Sequence, residues 1–322
     1  MTAAVEIREL VKRYPGGTVA LDGLSLTVPA GSVYALVGRN GAGKTTTLRI
    51  LMGMLRADGG EAAVLGHALT PRATSRLRAR IGYAPERPGL YPAMRVSEVL
   101  AFARSSYPRW NERRTRTYLE TFDLPLTARV RQLSRGQLAM LSLCLAVAHD
   151  PQLLLLDDPF VGLDPVHRRL YMQLLLEENA RFGRTVMLST HDLYAASRLA
   201  DTVGLVHRGQ ALRESPLDAL YETEKRVRVT CERELPEEQL RLPGVRLVER
   251  EAHGYLLTVT ASGGAGPESV AQLTARLGQI PGVRVAGVYD LDLEAIFLSY
   301  VESPGERTLP RPPDQAAEAA LM

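Results

Sequence analysis

The most informative stretch of this sequence is Gly38-Arg39-Asn40-Gly41-Ala42-Gly43-Lys44-Thr45-Thr46. It matches the phosphate-loop pattern G-x-x-x-x-G-K-[ST], which in proteins follows a strand and opens a helix. Residues 32–37 predict the buried strand, and residues 46–52 predict a helix with one apolar face. The glycines let successive backbone N–H groups point at phosphate oxygens, and the helix N-terminus adds partial positive charge. We therefore expect Lys44 to reach the β- and γ-phosphates of a nucleotide and Thr45 to ligate Mg²⁺.

Length and composition predict a globular protein with two domains, or with one large domain and an appendage. The chain has 322 residues, of which 45% are apolar and 23% are charged. We find no apolar run near the roughly 20 residues that a membrane helix needs, and no signal pattern at the N-terminus, so we expect a cytoplasmic protein. The net charge of +3 is too small to indicate nucleic-acid binding. The two cysteines, Cys144 and Cys231, have neither metal nor disulfide spacing.

Several functional side chains follow predicted strands. The four-leucine run 153–156 and the apolar run 185–190 predict strands that are buried on both faces, as in a parallel sheet. Strands alternate with helices along this part of the chain, which favours a mostly parallel α/β core. Such sheets bind ligands beyond the carboxyl ends of their strands. The side chains expected at this edge are Lys44, Asp157, Asp158 and His191.

The rest of the chain predicts further β and helical parts. Residues 3–12 and 24–28 alternate like strands, and residues 72–80 and 96–124 have helical patterns, the second interrupted at Pro108. Ser134 is well placed to cap the long helix that follows it. The seven arginines between 104 and 131 indicate either a solvated helical face or a docking surface. Further along, residues 225–302 predict a small α+β unit that has strands at 226–232, 245–250, 255–260 and 283–291 and helices at 268–278 and 293–301.

Together these motifs resemble the nucleotide-binding subunit of an ABC transporter. The matching segments, in the expected order, are the phosphate loop, a Q-loop-like stretch at 81–86, the signature-like Leu133-Ser134-Arg135-Gly136-Gln137, the second nucleotide motif at 153–158, a D-loop at 162–164 and the switch histidine His191. The resemblance implies an α/β P-loop NTPase (ABC ATPase) fold with a mostly parallel central sheet, an antiparallel N-terminal β part and a helical subdomain. It implies an ATP-binding domain at 1–220, and the small α+β domain would span 221–302. From 303 to 322 proline, alanine and charge dominate, which predicts a disordered tail.

The resemblance also implies a role for each matching residue, with ATP and Mg²⁺ as cofactors. The expected nucleotide-binding residues are Tyr14, Gly38, Asn40, Gly41, Ala42, Gly43, Lys44, Thr45 and Thr46. The expected metal ligands are Thr45, Glu86 and Asp157. Asp158 and His191 would be catalytic, and Ser134, Arg135, Gly136 and Gln137 would close over the ATP of a second subunit. Tyr14 would stack on adenine, although a half-buried tyrosine at the end of a strand explains it equally well.

The implied function is to power a membrane transporter through ATP-driven closure of a dimer. The expected partners are an integral membrane permease and a second ATPase subunit, identical or different, at the cytoplasmic face of the cell membrane; no nucleic acid is expected. Three features resemble bacterial exporters of antibiotics, peptides or lipids whose membrane part is a separate chain. They are the segment Tyr107-Pro108-Arg109-Trp110, the basic residue Arg135 in the signature and the C-terminal appendage.

Two positions depart from the common pattern of the family. Asp158 stands where glutamate usually activates water, and its shorter side chain withdraws the carboxylate, so we expect slow hydrolysis. Glu86 replaces the usual glutamine of the Q-loop. An alternative function is therefore a weakly hydrolytic regulatory or scaffold subunit, paired with another ATPase. A soluble ABC ATPase acting on ribosomes or DNA would carry two tandem ATPase units or a long coiled coil, and neither pattern is present here.

Overall fold

The computed structural model describes residues 2–70, 76–233, 235–261 and 269–302. It divides the chain into two compact units, residues 1–214 and 215–322. The predicted disordered tail, 303–322, lies outside the described residues. So do residues 72–75 of the helix predicted at 72–80 and residue 268 of the helix predicted at 268–278. The domain boundaries predicted from the sequence, at 220 and 302, stay predictions.

The first unit contains the phosphate loop and all the motifs that resemble an ABC ATPase. In chain order its elements are β1 (Ala3–Arg13), β2 (Val19–Pro29), β3 (Val33–Val37), α1 (Lys44–Leu51), β4 (Gly59–Val64), β5 (His67–Ala68), β6 (Ile81–Ala84), α2 (Val96–Ser106), α3 (Glu112–Thr121), α4 (Arg135–Ala148), β7 (Leu153–Asp157), α5 (Pro165–Phe182), β8 (Thr185–Thr190), α6 (Leu193–Leu199), β9 (Thr202–His207) and β10 (Gln210–Pro216), the last of which ends in the second unit.

The central sheet has the strand order β10-β9-β3-β8-β7-β6. Five of these strands, from β9 to β6, run parallel to one another. Every residue of β3, β7 and β8 is buried, as expected when both faces of a sheet are covered. Parallel strands end at the same edge, so the residues after β3, β7 and β8 meet there. The predicted mostly parallel α/β core is confirmed.

A second sheet supplies the predicted antiparallel N-terminal β part. Its order is β2-β1-β4-β5, and β1 pairs antiparallel with both β2 and β4. Alternate side chains of β1, among them Val5 and Ile7, are buried in one core with Leu48 and Leu51 of α1. This packing fixes α1 between the two sheets, so the phosphate loop that precedes α1 is held from both sides.

A buried cluster of charges ties α3, which with α2 forms the helical subdomain, to α5. Glu178 of α5 is fully buried and accepts a hydrogen bond from the Tyr118 hydroxyl of α3. Its other carboxylate oxygen lies 2.6 Å from a guanidinium nitrogen of Arg184, at the start of β8. Arg114 of α3 approaches Glu178 at 3.8 Å and pairs with Asp150 at 2.9 Å. The attraction of opposite charges within this cluster therefore fixes α3 against α5.

The second unit is a small α+β structure, as the sequence predicts. Its elements are α7 (Leu217–Thr223), β11 (Glu224–Cys231), β12 (Val245–Glu251), β13 (Gly254–Thr260), α8 (Val270–Gly278), β14 (Val283–Asp290) and α9 (Leu293–Glu302). The strands form an antiparallel sheet in the order β12-β13-β11-β14. Leu273 and Leu277 of α8 pack on one face of that sheet, against Val227 and Val229. Across the described ranges of the whole chain, no helix combines the length and the apolar character that a bilayer crossing requires.

The buried charge cluster should stabilise the fold. Glu178→Gln removes the negative charge that compensates Arg184, and breaking a buried ion pair from one side costs about 3–5 kcal/mol. We expect a loss of that size in the free energy of unfolding, measured by urea denaturation of the purified chain. Glu177→Gln, at the exposed neighbouring position, is the matched control. Equal unfolding free energies for the two variants would contradict the stabilising role of the cluster.

A second prediction concerns pH and the buried His149, which follows α4. Its ring stacks on Tyr107 at a centroid distance of 4.0 Å, and its Nε2 lies 3.1 Å from the carbonyl oxygen of Ile81. Burial lowers the pKa of His149, so the folded chain holds the neutral imidazole with Nε2–H donating.

Because an unfolded histidine titrates near pH 6.5, the unfolded state binds the extra proton first as the pH falls. We expect the free energy of unfolding to fall as the pH drops below about 6.5. His149→Gln should remove that part of the slope, whereas His67→Gln, at an exposed position, should retain it. Denaturation curves between pH 8 and pH 5 test this, and an unchanged slope in His149→Gln would contradict it.

Candidate nucleotide-binding site

The phosphate loop connects β3 to α1 in a backbone path that requires glycine at two positions. Gly43 has φ +103°, and a Cβ there would lie 2.5 Å from the carbonyl oxygen of Ala20. At Gly38 a Cβ would lie 2.4 Å from the carbonyl oxygen of Val206. Both distances are too short for a side chain, so any other residue would displace the loop. The loop therefore turns tightly, and Lys44 lies within hydrogen-bond distance of the carbonyl oxygens of Gly38 and Arg39.

Lys44 is buried at the start of α1 and holds the loop that precedes it. Its ammonium donates hydrogen bonds to the carbonyl oxygens of Gly38, at 2.7 Å, and Arg39, at 3.2 Å. Burial lowers the pKa of Lys44, and the charges of Asp158, Asp157 and Glu86 oppose that shift. The Lys44 ammonium therefore lies close enough to the three predicted carboxylates for their negative charges to act on it. Phosphate oxygens could replace the two carbonyl oxygens as its partners.

Thr45 and Asp157 form the pair that the sequence predicts for Mg²⁺. The Thr45 hydroxyl donates to Asp157 Oδ1 at 2.9 Å, and the Ser189 hydroxyl donates to the same oxygen at 2.7 Å. Hydroxyl and carboxylate oxygens are ligands that suit Mg²⁺, which usually keeps only one or two protein ligands and completes its shell with phosphate and water. This pair fits that ion. Glu86 is exposed, 3.8 Å from the Arg87 guanidinium, and its role as a ligand stays a prediction.

Asp158 and His191, the two predicted catalytic residues, are in contact. Nδ1 of His191 lies 2.7 Å from Asp158 Oδ2, and the Thr190 hydroxyl donates to Asp158 Oδ1 at 3.4 Å. Asp158 has φ +47°, and its backbone N–H donates to the carbonyl oxygen of Ser189 at 2.9 Å. The carboxylate is thus held by two donors at the carboxyl edge of β7 and β8.

The remaining predicted nucleotide-binding residues lie in the phosphate loop or beside the helix that follows it. The Tyr14 hydroxyl lies 3.3 Å from Oγ1 of Thr46, which places this half-buried tyrosine beside the first turn of α1. Stacking of Tyr14 on adenine stays a prediction. Asn40 and Gly41 are exposed at the tip of the loop, whereas Ala42 is buried.

The four signature residues lie together at the N-terminus of α4. Ser134 caps the helix: its hydroxyl accepts from the Gln137 backbone N–H at 3.1 Å, and Gln137 Oε1 accepts from the Ser134 N–H at 3.0 Å. A Cβ at Gly136 would lie 3.5 Å from the His167 ring of α5, and one at Gly162 would lie 3.3 Å from Arg135. Within the described residues, no hydrogen bond or ion pair joins this group to the phosphate loop.

Four residues near the site were not identified from the sequence: Ser189, Thr190, Arg168 and Asp192. The Ser189 hydroxyl donates a hydrogen bond to Asp157, and the Thr190 hydroxyl donates one to Asp158. Both residues lie at the end of β8, directly before His191. The signal that could have identified them is their position at the carboxyl end of a buried strand. Arg168 pairs with Asp192 across two helices, a contact between residues distant in sequence that no local pattern indicates.

Comparisons with known proteins show the family of this chain. The model of the ABC transporter family matches residues 21–161. Nod factor export ATP-binding protein I of Burkholderia lata is 36% identical over 227 residues, which cover 69% of this chain and 74% of that protein. This chain belongs to the ABC transporter ATP-binding family. Another relative, bacitracin transport ATP-binding protein BcrA of Bacillus licheniformis, is 34% identical over 226 residues, which cover 68% of this chain and 72% of that protein.

A solved ABC cassette shares the fold. It is a dimer in a post-hydrolysis state, bound to ADP and Pi, with 25% identity and a TM-score of 0.61 over 66% of this chain and 98% of its own. Members of this family are ATPases that bind ATP, and this chain is one of them. The resemblance inferred from the motifs is therefore confirmed at the level of the family.

Lys44 should contribute to the affinity of the chain for ATP. Removing a charged hydrogen-bond donor costs about 1.5–3 kcal/mol. We therefore expect Lys44→Ala to weaken ATP binding roughly 10- to 100-fold. Isothermal titration calorimetry with Mg²⁺ and ATP measures this, with Lys225→Ala as the control. Lys225 belongs to the second unit, where it pairs with Asp290. Equal ATP affinity of the Lys44 and Lys225 variants would place the nucleotide elsewhere.

Proposed function

We propose that this chain is the ATP-binding and ATP-hydrolysing subunit of an exporter whose integral membrane permease is a separate chain. One observation carries the proposal: Lys44, Thr45, Asp157, Asp158 and His191 meet at one edge of the central sheet. The names of two relatives, which refer to Nod factor export and bacitracin transport, favour a transport role of this kind. The cargo would be recognised chiefly by the permease.

ATP would act by joining two ATPase subunits. The signature of one subunit would close over the γ-phosphate that the phosphate loop of the other holds. Ser134 and Gly136 lie at the N-terminus of α4, where a hydroxyl, free backbone N–H groups and the helix dipole all attract an anion. A related cassette that was solved as a dimer with ADP and Pi supports the proposal that two such subunits associate. The second subunit is either a copy of this chain or a different ATPase.

Each residue of the site has a proposed task in phosphoryl transfer, which needs mainly positioning and compensation of charge. Lys44 would leave the carbonyl oxygens of its own loop and bind the β- and γ-phosphates. Thr45 and Asp157 would hold Mg²⁺, with Glu86 as a third ligand. When bound, the ion supplies positive charge to the phosphate oxygens. Asp158 would orient the attacking water, and His191 would contact the γ-phosphate.

The rest of the proposal concerns location and domain roles. The chain would be cytoplasmic and peripheral, bound to the permease at the cytoplasmic face of the cell membrane, with no role for nucleic acid. Residues 1–220 would be the ATP-binding domain and residues 221–302 an accessory domain.

One observation favours a second candidate, a weakly hydrolytic regulatory or scaffold subunit that is paired with another ATPase. Asp158 is one methylene shorter than the usual glutamate, and its Oδ2 is already occupied by Nδ1 of His191 at 2.7 Å. A general base must reach the proton that it removes, either directly or through one water. A carboxylate that is both shorter and turned towards His191 would reach the attacking water poorly, and hydrolysis would be slow.

The two candidates predict different effects of substitutions at Asp158. If the short side chain limits turnover, Asp158→Glu should raise kcat about tenfold or more, because a well-placed general base contributes roughly 10²–10⁴-fold. Asp158→Asn should abolish turnover and trap a dimer with ATP. Steady-state ATPase rates and analytical ultracentrifugation measure the two effects.

The outcomes separate the candidates. Wild-type turnover well above that of Asp158→Asn supports the hydrolysing motor, whether or not glutamate accelerates it. Wild-type turnover equal to that of Asp158→Asn, together with ATP-dependent dimerisation, supports the weakly hydrolytic subunit. Failure of every variant to bind ATP or to dimerise would reject both.

A further inference from the structure

Arg168 of α5 is directed at the segment that carries the switch histidine. Its guanidinium forms an ion pair with the carboxylate of Asp192, the residue that follows His191. The guanidinium also lies 5.9 Å from the ring centroid of Phe160 and 5.5 Å from that of Tyr194. The side chains of Arg168 and Asp192 are only 30% and 20% exposed. An ion pair with this little access to water is screened less than a surface pair, so it can fix a geometry.

Asp192 in turn fixes the backbone on both sides of it. Its N–H donates to the Thr190 hydroxyl at 2.9 Å, and its Oδ1 caps α6 by accepting from the Ala195 N–H at 3.0 Å. His191 therefore lies in a turn in which Asp192 forms hydrogen bonds with Thr190 on one side and Ala195 on the other. That turn is the connection between β8 and α6, and Arg168 holds it from the side of α5.

The imidazole of His191 has little packing of its own. Its side chain is 48% exposed, and the contact that orients it is the one from Nδ1 to Asp158 Oδ2 at 2.7 Å. The position of the ring relative to Asp158 therefore depends on where the backbone of residues 190–192 lies. The ion pair of Arg168 with Asp192 holds the last residue of that segment.

We propose that Arg168 is a positioning residue for His191, which it holds against Asp158 through the ion pair with Asp192. The proposal rests on the proposed function for the role of His191 in turnover. The placement of the ring against Asp158 does not depend on that function, and it can be measured without nucleotide.

The first experiment observes the ring directly in the full chain without nucleotide. The histidine ring nitrogens are followed by ¹⁵N NMR in wild type, Arg168→Gln, Arg168→Lys and Arg169→Gln, and His191→Gln assigns the signal. Arg169 is the matched control because it is the next residue on α5 and is exposed. We expect the His191 signals to shift in Arg168→Gln, to stay as in wild type in Arg169→Gln and to return towards wild type in Arg168→Lys. Unchanged His191 signals in Arg168→Gln would overturn the proposal, as would equal shifts of all histidines.

The second experiment measures ATP turnover. We expect Arg168→Gln to lower kcat on the order of 10- to 100-fold, the size typical of a misplaced catalytic group, with KM for ATP within about twofold of wild type. In a His191→Ala background the same substitution should have no further effect. An equal loss in both backgrounds would mean that Arg168 does not act through His191, and would overturn the proposal. If wild type shows no turnover, the proposed function fails on that account, and the NMR experiment still decides the role of Arg168.

Discussion

The buried ammonium of Lys44 is the charge on which the organisation of the site depends. Asp157 ends a buried strand and Asp158 follows it, whereas Glu86 follows a neighbouring strand. The negative charges of these three carboxylates act on the Lys44 ammonium, whose pKa is lowered by burial. Without that cation, the negative charge at the edge of the sheet would be uncompensated in a partly dehydrated place. The glycines of the loop matter because they alone allow the backbone to bring Lys44 there. In the proposed function, a bound nucleotide would bring its phosphates to an electrostatic arrangement that already exists.

The first turn of α5 and the residues just before it lie beside two groups of predicted site residues. His167 packs against Gly136 of the signature, and Gly162, just before the helix, packs against Arg135. Arg168, which follows His167, forms an ion pair with Asp192, the residue after His191. One short segment therefore contacts both the signature-like residues and the residue that follows His191.

The sequence predicts those parts of the molecule that depend on local chemistry. The phosphate loop, the buried strands and the cap at Ser134 follow from glycine, leucine and serine at local spacings, and the structure has each of them. The short helix Leu217–Thr223 was not predicted, because its seven residues show no pattern distinct from the strands around it. The Glu178 cluster and the pair of Arg168 with Asp192 were also missed. They join residues that only the packing of helices brings together, and the hydrogen bond of Ser189 to Asp157 depends likewise on the pairing of two strands.

The proposed nucleotide site depends on one exchange, in which Lys44 leaves the carbonyl oxygens of its own loop and binds the phosphates of ATP. The most direct measurement is a crystal structure of the Asp158→Asn chain with ATP and Mg²⁺. We predict that Lys44 Nζ, now 2.7 Å from the carbonyl oxygen of Gly38, lies within hydrogen-bond distance of β- and γ-phosphate oxygens in that complex. A structure in which Lys44 keeps its bonds to Gly38 and Arg39 while the triphosphate binds elsewhere would contradict the account.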